Sequence, residues 1–209
     1  MINNNIEDVN VKEVYEKIAK HFSDTRVYKW SWVNDFLESL KTNSLVYDLG
    51  CGNGRNMLYN NINFIGIDNC KNFISICKEK KLNVINSNIT NIPLSNGSAD
   101  AIICIAVFHH LYTRENRVKA LLEMKRLIKS GGKILLSVWS IKQPKKTRRT
   151  FNNYGNNIVL YNTNNGKIYE RFYYIFDIDE IKKLFRDLGL TLINHTYNCG
   201  NEIFTLIKI

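Results

Sequence analysis

Val11, Val14, Tyr15, Ile18 and Phe22 recur at three- and four-residue intervals, so the chain opens on an amphipathic helix. A second helix is predicted from Trp30 to Leu40. Beyond it, short apolar runs alternate with helical periods. SLVYDLG reads as a strand, RNMLYN as a short helix and NFIGID as a strand. A helix follows around Lys71–Lys81, then a short strand at NVIN. ADAIICIAV is a nearly unbroken apolar run, as expected of a strand covered on both faces. Thr113 can cap a helix that carries Val118, Leu121, Leu122 and Ile128 on one side. Gly131 and Gly132 would stop it, and KILLSVW is the next strand.

Residues 141–170 break this rhythm with a basic run, KQPKKTRR, and the Asn-rich stretches NNYGNN and NTNNGK. They are read as a flexible basic loop of about thirty residues. Asp177 then opens another helix, with Glu180 at capping-box spacing. LTLINHTYN and EIFTLIKI close the chain, and the short NCGN link between them predicts an antiparallel hairpin at a sheet edge. Alternating strands and helices imply a mainly parallel sheet covered on both faces, all within one domain spanning residues 1–209.

Composition narrows the class. The net charge of +10 suits a polyanion such as RNA, although a chain this rich in Lys, Asn and Ile can be basic from compositional bias alone. Five cysteines without a CxxC pair argue against disulfides and against a cysteine zinc site. No apolar stretch is long enough to span a bilayer, and the first residues lack the apolar core of a secretory signal. The expected compartment is the cytoplasm, with the nucleus as the alternative.

VYDLGCGNG, Val46 to Gly54, carries the most chemistry. Gly50, Gly52 and Gly54 stand where a strand should turn into a helix, letting a ligand approach the backbone closely. Arg55 occupies the position where a dinucleotide fingerprint needs glycine, and no Gly-Lys-Ser/Thr of a P-loop follows. An aminoacyl ligand fits better: Asp48 can accept from an ammonium, and backbone amides can meet a carboxylate. Asp68, ending the second strand, can hold both hydroxyls of a ribose. A structural turn beside an ordinary capping aspartate is the competing reading.

These residues closely resemble the motifs of class I S-adenosylmethionine-dependent methyltransferases. The resemblance implies an α/β, Rossmann-like three-layer sandwich whose mainly parallel seven-stranded sheet has an antiparallel C-terminal edge. It places Asp48, Gly50, Cys51, Gly52 and Gly54 at the methionine end, Asp68 on the ribose and Asn69 beside the adenine, with Ile89 and Ile105 as further cofactor contacts. Asn88 stands where the family commonly has Asp, and its carbonyl would accept the adenine amine. Residues 1–42 would be a helical lid over substrate and cofactor.

Missing motifs narrow the reaction. No Asn/Asp-Pro-Pro-Tyr/Phe follows the fourth strand, which disfavours methylation of an exocyclic amine. No Pro-Cys or Thr-Cys nucleophile is present, which disfavours base-carbon methylation. Three blocks instead resemble the eukaryotic tRNA wobble-uridine carboxymethyl methyltransferases: VYEKIAKHFSDTRVYKW (Val14–Trp30), IAVFHHLYTRENR (Ile105–Arg117) and ERFYYIF (Glu170–Phe176). The chain departs from that family at Ser31, where Pro is usual, at Phe172 for Tyr and at Tyr174 for His. The resemblance implies methyl esterification of the carboxymethyl group on the wobble uridine of tRNA, giving 5-methoxycarbonylmethyluridine. It also implies a small zinc-binding activator subunit as partner. A methyltransferase for a small carboxylate or other acceptor, and a catalytically silent RNA-binding relative, remain the alternatives.

A carboxylate nucleophile with a pKa of roughly 4 is ionised at neutral pH and needs alignment more than a general base. Arg26 is a candidate clamp, and His109, His110, Arg171 and Tyr173 are candidates for the same pocket. Adjacent histidines without nearby carboxylates make poor metal ligands, so no metal is expected. Arg114 and Arg117 sit at a helix start, where cations oppose the dipole, and so suggest a phosphate partner. Lys145, Lys146, Arg148 and Arg149 are the other phosphate-contact candidates. Tyr28, Trp30 and Trp32 could stack on a base, or belong to the core.

Overall fold

The computed structural model describes residues 5–145, 147, 150–164 and 166–209. Parallel strands β1 (Leu45–Leu49), β2 (Asn63–Asp68), β3 (Val84–Asn86), β4 (Ala99–Ile105) and β5 (Ile128–Trp139) are joined by β8 (Thr191–Asn198) and β9 (Asn201–Ile207). The sheet is seven-stranded, in the order β3-β2-β1-β4-β5-β9-β8, with β9 antiparallel to β5 and β8. The closing hairpin turns on Cys199 and Gly200, both at positive φ, as a tight two-residue hairpin requires.

The apolar run of β4 serves two layers, as its sequence predicts. Ile102 and Cys104 face a core shared with α5 (Arg114–Leu127) and α6 (Ile178–Asp187). Ala101, Ile103 and Ile105 face the opposite core, which Val33, Phe36 and Leu37 of α3 (Ser31–Glu38) and Cys77 of α4 (Lys71–Glu79) complete. Thr113 caps α5 by accepting from the Asn116 N–H, and Asp177 caps α6 by accepting from the N–H groups of Asp179 and Glu180.

Strand order reverses between β1 and β4, opening a crevice at the carboxyl ends of the strands. The N-terminal helical arm lies beside it: α1 (Asn5–Glu7), a π-helical stretch (Asp8–Lys12) and α2 (Glu13–Thr25). Ala19, Tyr15 and Phe22 pack on Cys70 and Phe73 of the α4 region. Two carboxylates of the arm cap helices elsewhere. Glu7 accepts from the N–H groups of Tyr112 and Thr113 and from the Asn116 amide at the start of α5. Glu16 accepts from the N–H groups of Lys71 and Asn72, replacing a cap that Cys70 does not give α4. Acid at a helix N-terminus is favoured by the dipole, so these contacts hold the start and the middle of the arm against the domain.

Segment 141–170 departs from the expected loop. It contains β6 (Gly155–Asn162) and the start of β7 (Ile168–Ile175), an antiparallel ribbon separate from the main sheet. Arg171, Phe172, Tyr173 and Ile175 of β7 are buried, whereas in β6 only Tyr161 is. The helix α5 also stops earlier than the glycines suggested, at Leu127. Gly131 N–H already donates to the Lys208 carbonyl, so this stretch belongs to the sheet. Among the described residues no helix is long and apolar enough to cross a membrane.

Candidate active site

The glycine turn after β1 forms one wall of a cleft at the crevice. Gly50, Cys51, Gly52, Asp68, Asn69, Asn88, Ile89 and Ile105 all line it, and Tyr15, Phe22 and Val11 of the helical arm face it. A Cβ on Gly50 would come within 2.3 Å of Val107, so only glycine permits this close approach. At Gly52 an added Cβ meets nothing within 4 Å, so the backbone is bare toward the cleft; the N–H groups of Gly50, Cys51, Gly52 and Gly54 nevertheless donate within the protein, which corrects the expectation that they meet a carboxylate. Gly54 is different, because its Cβ would strike Leu82 at 2.3 Å. It packs the turn against the protein and does not line the cleft, which corrects the expectation that it touches the methionine end.

Asp68 is anchored through both oxygens, which accept from the N–H groups of Gly52 (2.8 Å) and Cys70 (2.9 Å). It therefore holds the glycine turn as well as presenting a carboxylate to the cleft. Asp48 is buried just ahead of the turn and, like Gly54, is not among the residues that line the cleft; one of its oxygens has no hydrogen-bond partner among the described residues. A buried acceptor left unmet costs free energy, and an aminoacyl ammonium would satisfy it. Asn88 corrects another expectation. Its carbonyl accepts from both the N–H and hydroxyl of Thr90, at 3.0 Å each, so it is already committed and is not waiting for the adenine amine.

Burial pushes the Asp48 carboxyl up to about 7; the charge of Asp68 adds to this, while Arg55 and a hydrogen bond from Asn56 oppose it. Burial likewise raises Asp68 to about 6 against its backbone hydrogen bonds. A cationic ammonium favours the ionised forms, so binding releases protons wherever these groups are partly protonated in the free protein. Cofactor affinity is therefore expected to rise as pH climbs from about 5.5 to 7.5. Calorimetry in buffers of different ionisation heats measures the release; zero release across this range would remove the carboxylates from cofactor binding.

Tyr15, Phe22, Arg55 and Ala106 line this cleft and also a second cavity of about 500 Å³. Arg26, Lys29, His109, Trp139, Arg171 and Tyr173 complete much of the second wall. Trp139 and Tyr173 stack with ring centroids 4.1 Å apart. Arg171, 5% exposed, is set among tyrosines, its guanidinium 4.7 Å from the Tyr161 ring and 5.3 Å from that of Tyr173. Burial works against its charge, but the phenols of Tyr173, Tyr15 and Tyr161 outweigh this and raise its pKa, so it stays a cation.

A hydrogen-bond chain joins the two spaces. Arg171 Nη1 donates to the Tyr15 hydroxyl (3.3 Å), and Tyr15 pairs with His110 Nε2 (3.0 Å). His110 Nδ1 pairs with the Phe172 carbonyl (2.8 Å), which fixes the proton on Nδ1 and makes Nε2 the acceptor. Burial drives the His110 pKa down to about 3, with the neighbouring Arg171 charge assisting and the Phe172 bond opposing. This imidazole is neutral at physiological pH and serves as a fixed wall of the cofactor cleft. His109, fully buried, accepts from the Trp139 N–H through Nδ1 (3.0 Å) and faces the second cavity.

The RNA candidates divide. Arg117 is buried, donates to the carbonyls of Leu111 and Tyr112, and lies 3.8 Å from the Tyr174 ring centroid. Its partner at the helix start is internal, so it is corrected from RNA contact to structural brace. Arg114 and Lys145 are exposed and line neither cavity. Lys146, Arg148 and Arg149 lie outside the described residues. Sequence reasoning missed Tyr15, Lys29, Arg55 and Trp139. For Tyr15 the signal was present in the first resemblance block, and for Arg55 in its place directly after the glycine turn.

Residues 47–136 match the family model of a methyltransferase domain. Together with the strand order and the glycine-turn cleft, this defines a class I S-adenosylmethionine-dependent methyltransferase. The chain is 33% identical over 217 residues to the tRNA (carboxymethyluridine(34)-5-O)-methyltransferase of Schizosaccharomyces pombe, covering 93% of this chain and 94% of that protein. It belongs to that family. It is also 40% identical over 146 residues to the mouse tRNA (carboxymethyluridine(34)-5-O)-methyltransferase ALKBH8, covering 69% of this chain but only 22% of the mouse protein's length. The fold matches a Haloferax volcanii methyltransferase solved in complex with the Trm112 methyltransferase activator: TM-score 0.69, 14% identity, 94% of this chain and 96% of that one.

Proposed function

We propose that this protein esterifies the carboxymethyl group on the wobble uridine of tRNA, using S-adenosylmethionine as methyl donor. The observation that carries the reading is the junction of two spaces: a glycine-turn cleft suited to an aminoacyl nucleoside opens beside a cavity lined by cations and stacked aromatics. The bound cofactor supplies an electrophilic methyl group on its sulfonium. The chain supplies the rest. Asp68, Asn69, Ile89 and Ile105 hold the nucleoside portion, while Asp48 and the bare backbone at Gly52 meet its amino-acid end. Arg171 orients the substrate carboxylate through a planar guanidinium fork held by its tyrosine neighbours. His109, Trp139 and Tyr173 shape the space for the uracil ring. The carboxylate is ionised at neutral pH, so alignment and exclusion of water suffice, and His110, a weak base with its pKa driven down to about 3, fits chemistry that needs no general base.

A small zinc-binding activator subunit is proposed as a partner on the family resemblance, and the shared fold with the Haloferax protein supports it. The test is transfer of labelled methyl groups to hypomodified tRNA and to small carboxylates, with and without such an activator, followed by nucleoside mass spectrometry. Label in 5-methoxycarbonylmethyluridine is expected. Label entering small acids and never tRNA would replace this reading with a small-molecule methyltransferase.

A further inference from the structure

Four cations, Arg26, Lys29, Arg55 and Arg171, line the substrate cavity, and no Asp or Glu is among its described lining residues. A carboxymethyl group brings a single negative charge, which the buried Arg171 can take. The remaining three stand farther out, half-buried, on the side where Tyr28 is 90% exposed. None of them takes part in an ion pair among the described residues. Their hydrogen bonds go to neutral acceptors: Arg26 to the carbonyl and hydroxyl of Thr25, Arg55 to the carbonyl of Tyr28 and Lys29 to that of Leu58.

Arg26 and Arg55 are close enough to repel. Burial and then the charge of Arg26 lower the Arg55 pKa, with only Asp48, behind it on the cofactor side, acting the other way. The fold nevertheless holds the two together. The Asn53 amide, between two glycines of the cofactor turn, reaches the carbonyls of Ser23 (3.4 Å) and Arg26 (3.2 Å), and Arg55 reaches that of Tyr28 (3.3 Å). The segment after α2 is thus stapled to the glycine turn with two guanidinium groups brought near each other. Like charges fixed in one place are matched by an anion with several oxygens, and guanidinium forks suit phosphate in this way.

We propose that Arg55 and Arg26, supported by Lys29, form a second anion seat that grips a backbone phosphodiester adjoining the target uridine. The inference rests on the tRNA reading above and deepens it: the cavity takes a carboxylate at its floor and a phosphate at its mouth. It makes Arg55 a substrate-binding residue that selects a nucleotide within a strand over a free nucleoside.

The test uses the full chain and an anticodon stem-loop RNA bearing 5-carboxymethyluridine at the wobble position. Two further RNAs replace the phosphate on its 5′ or its 3′ side with an uncharged methylphosphonate. Fluorescence anisotropy compares the wild type with Arg55→Met, and with Arg26→Met as the second variant should the first fail to fold. One methylphosphonate is expected to weaken wild-type binding about tenfold and to cost the variant far less, because the partner is already gone. The variant's salt dependence should flatten by about 0.7 in log–log slope, the share of one single-strand phosphate. The affinity of Arg26→Met for S-adenosylmethionine should be unchanged, since Arg26 lines the substrate cavity and not the cofactor cleft. Three results would overturn the seat: neither methylphosphonate matters, the two losses multiply independently, or Arg26→Met loses cofactor affinity in step with RNA affinity. The last would assign the guanidinium to the cofactor carboxylate. A folded wild type that binds none of these RNAs would instead reject the tRNA reading itself, and the seat with it.

Discussion

Asp68→Ala is expected to weaken S-adenosylmethionine binding by more than about a hundredfold, from the loss of two charge-assisted hydrogen bonds at roughly 1.5–3 kcal/mol each. Two losses combine at this position. The ribose hydroxyls lose their acceptor, and the N–H groups of Gly52 and Cys70 lose theirs, so the turn keeps its bonds to the Ile67 carbonyl but loses its tie to the end of β2. Calorimetric titration reads the effect directly, with thermal melting of the free protein as the check on folding. A folded variant with undiminished affinity would show that the ribose lies elsewhere.

Arg171→Met should lower the rate of methyl transfer about a hundredfold or more while leaving cofactor affinity within about twofold, since small misplacement of a reacting group has costs of this size. Methionine keeps much of the apolar bulk among Tyr15, Tyr161 and Tyr173 but removes the fork and its bond to the Tyr15 hydroxyl. Single-turnover kinetics with saturating cofactor separate the two effects. Equal losses in rate and in cofactor affinity would mean that Arg171 acts by bracing the helical arm through Tyr15, and that it does not hold the substrate carboxylate.

The cofactor cleft was legible because its parts are local. The turn from Asp48 to Gly54 and the Asp68 that anchors it each follow a strand, and a strand end is visible in the apolar pattern. Even there, sequence could not say that Gly54 faces Leu82, which depends on packing beyond the motif, whereas the bond of Thr90 to the Asn88 carbonyl is a local turn two residues long that the Asn-Ile-Thr run could have suggested. The substrate cavity was only partly legible. Its walls gather Tyr15, Arg26, Arg55, Trp139 and Arg171 from separate elements, and no periodicity links them. Arg117 illustrates the limit of local electrostatics. A cation at a helix start does call for a compensating partner, but the carbonyls of Leu111 and Tyr112 and the ring of Tyr174 supply it from within. The β6–β7 ribbon was hidden because Asn and Gly flank the short apolar run Ile158–Tyr161 of β6, of which only Tyr161 is buried, so the segment resembled a connector.

The arm that carries Tyr15 and Phe22 borders both chambers while being clasped at two distant helix starts by Glu7 and Glu16. A rod shared by two compartments cannot tilt for one occupant without altering the room left for the other. Whatever the donor does to the posture of this rod, the acceptor must feel, and reciprocity makes the coupling equal in both directions. Donor and acceptor would then be recognised as a pair, with the rod as the common wall that compares them.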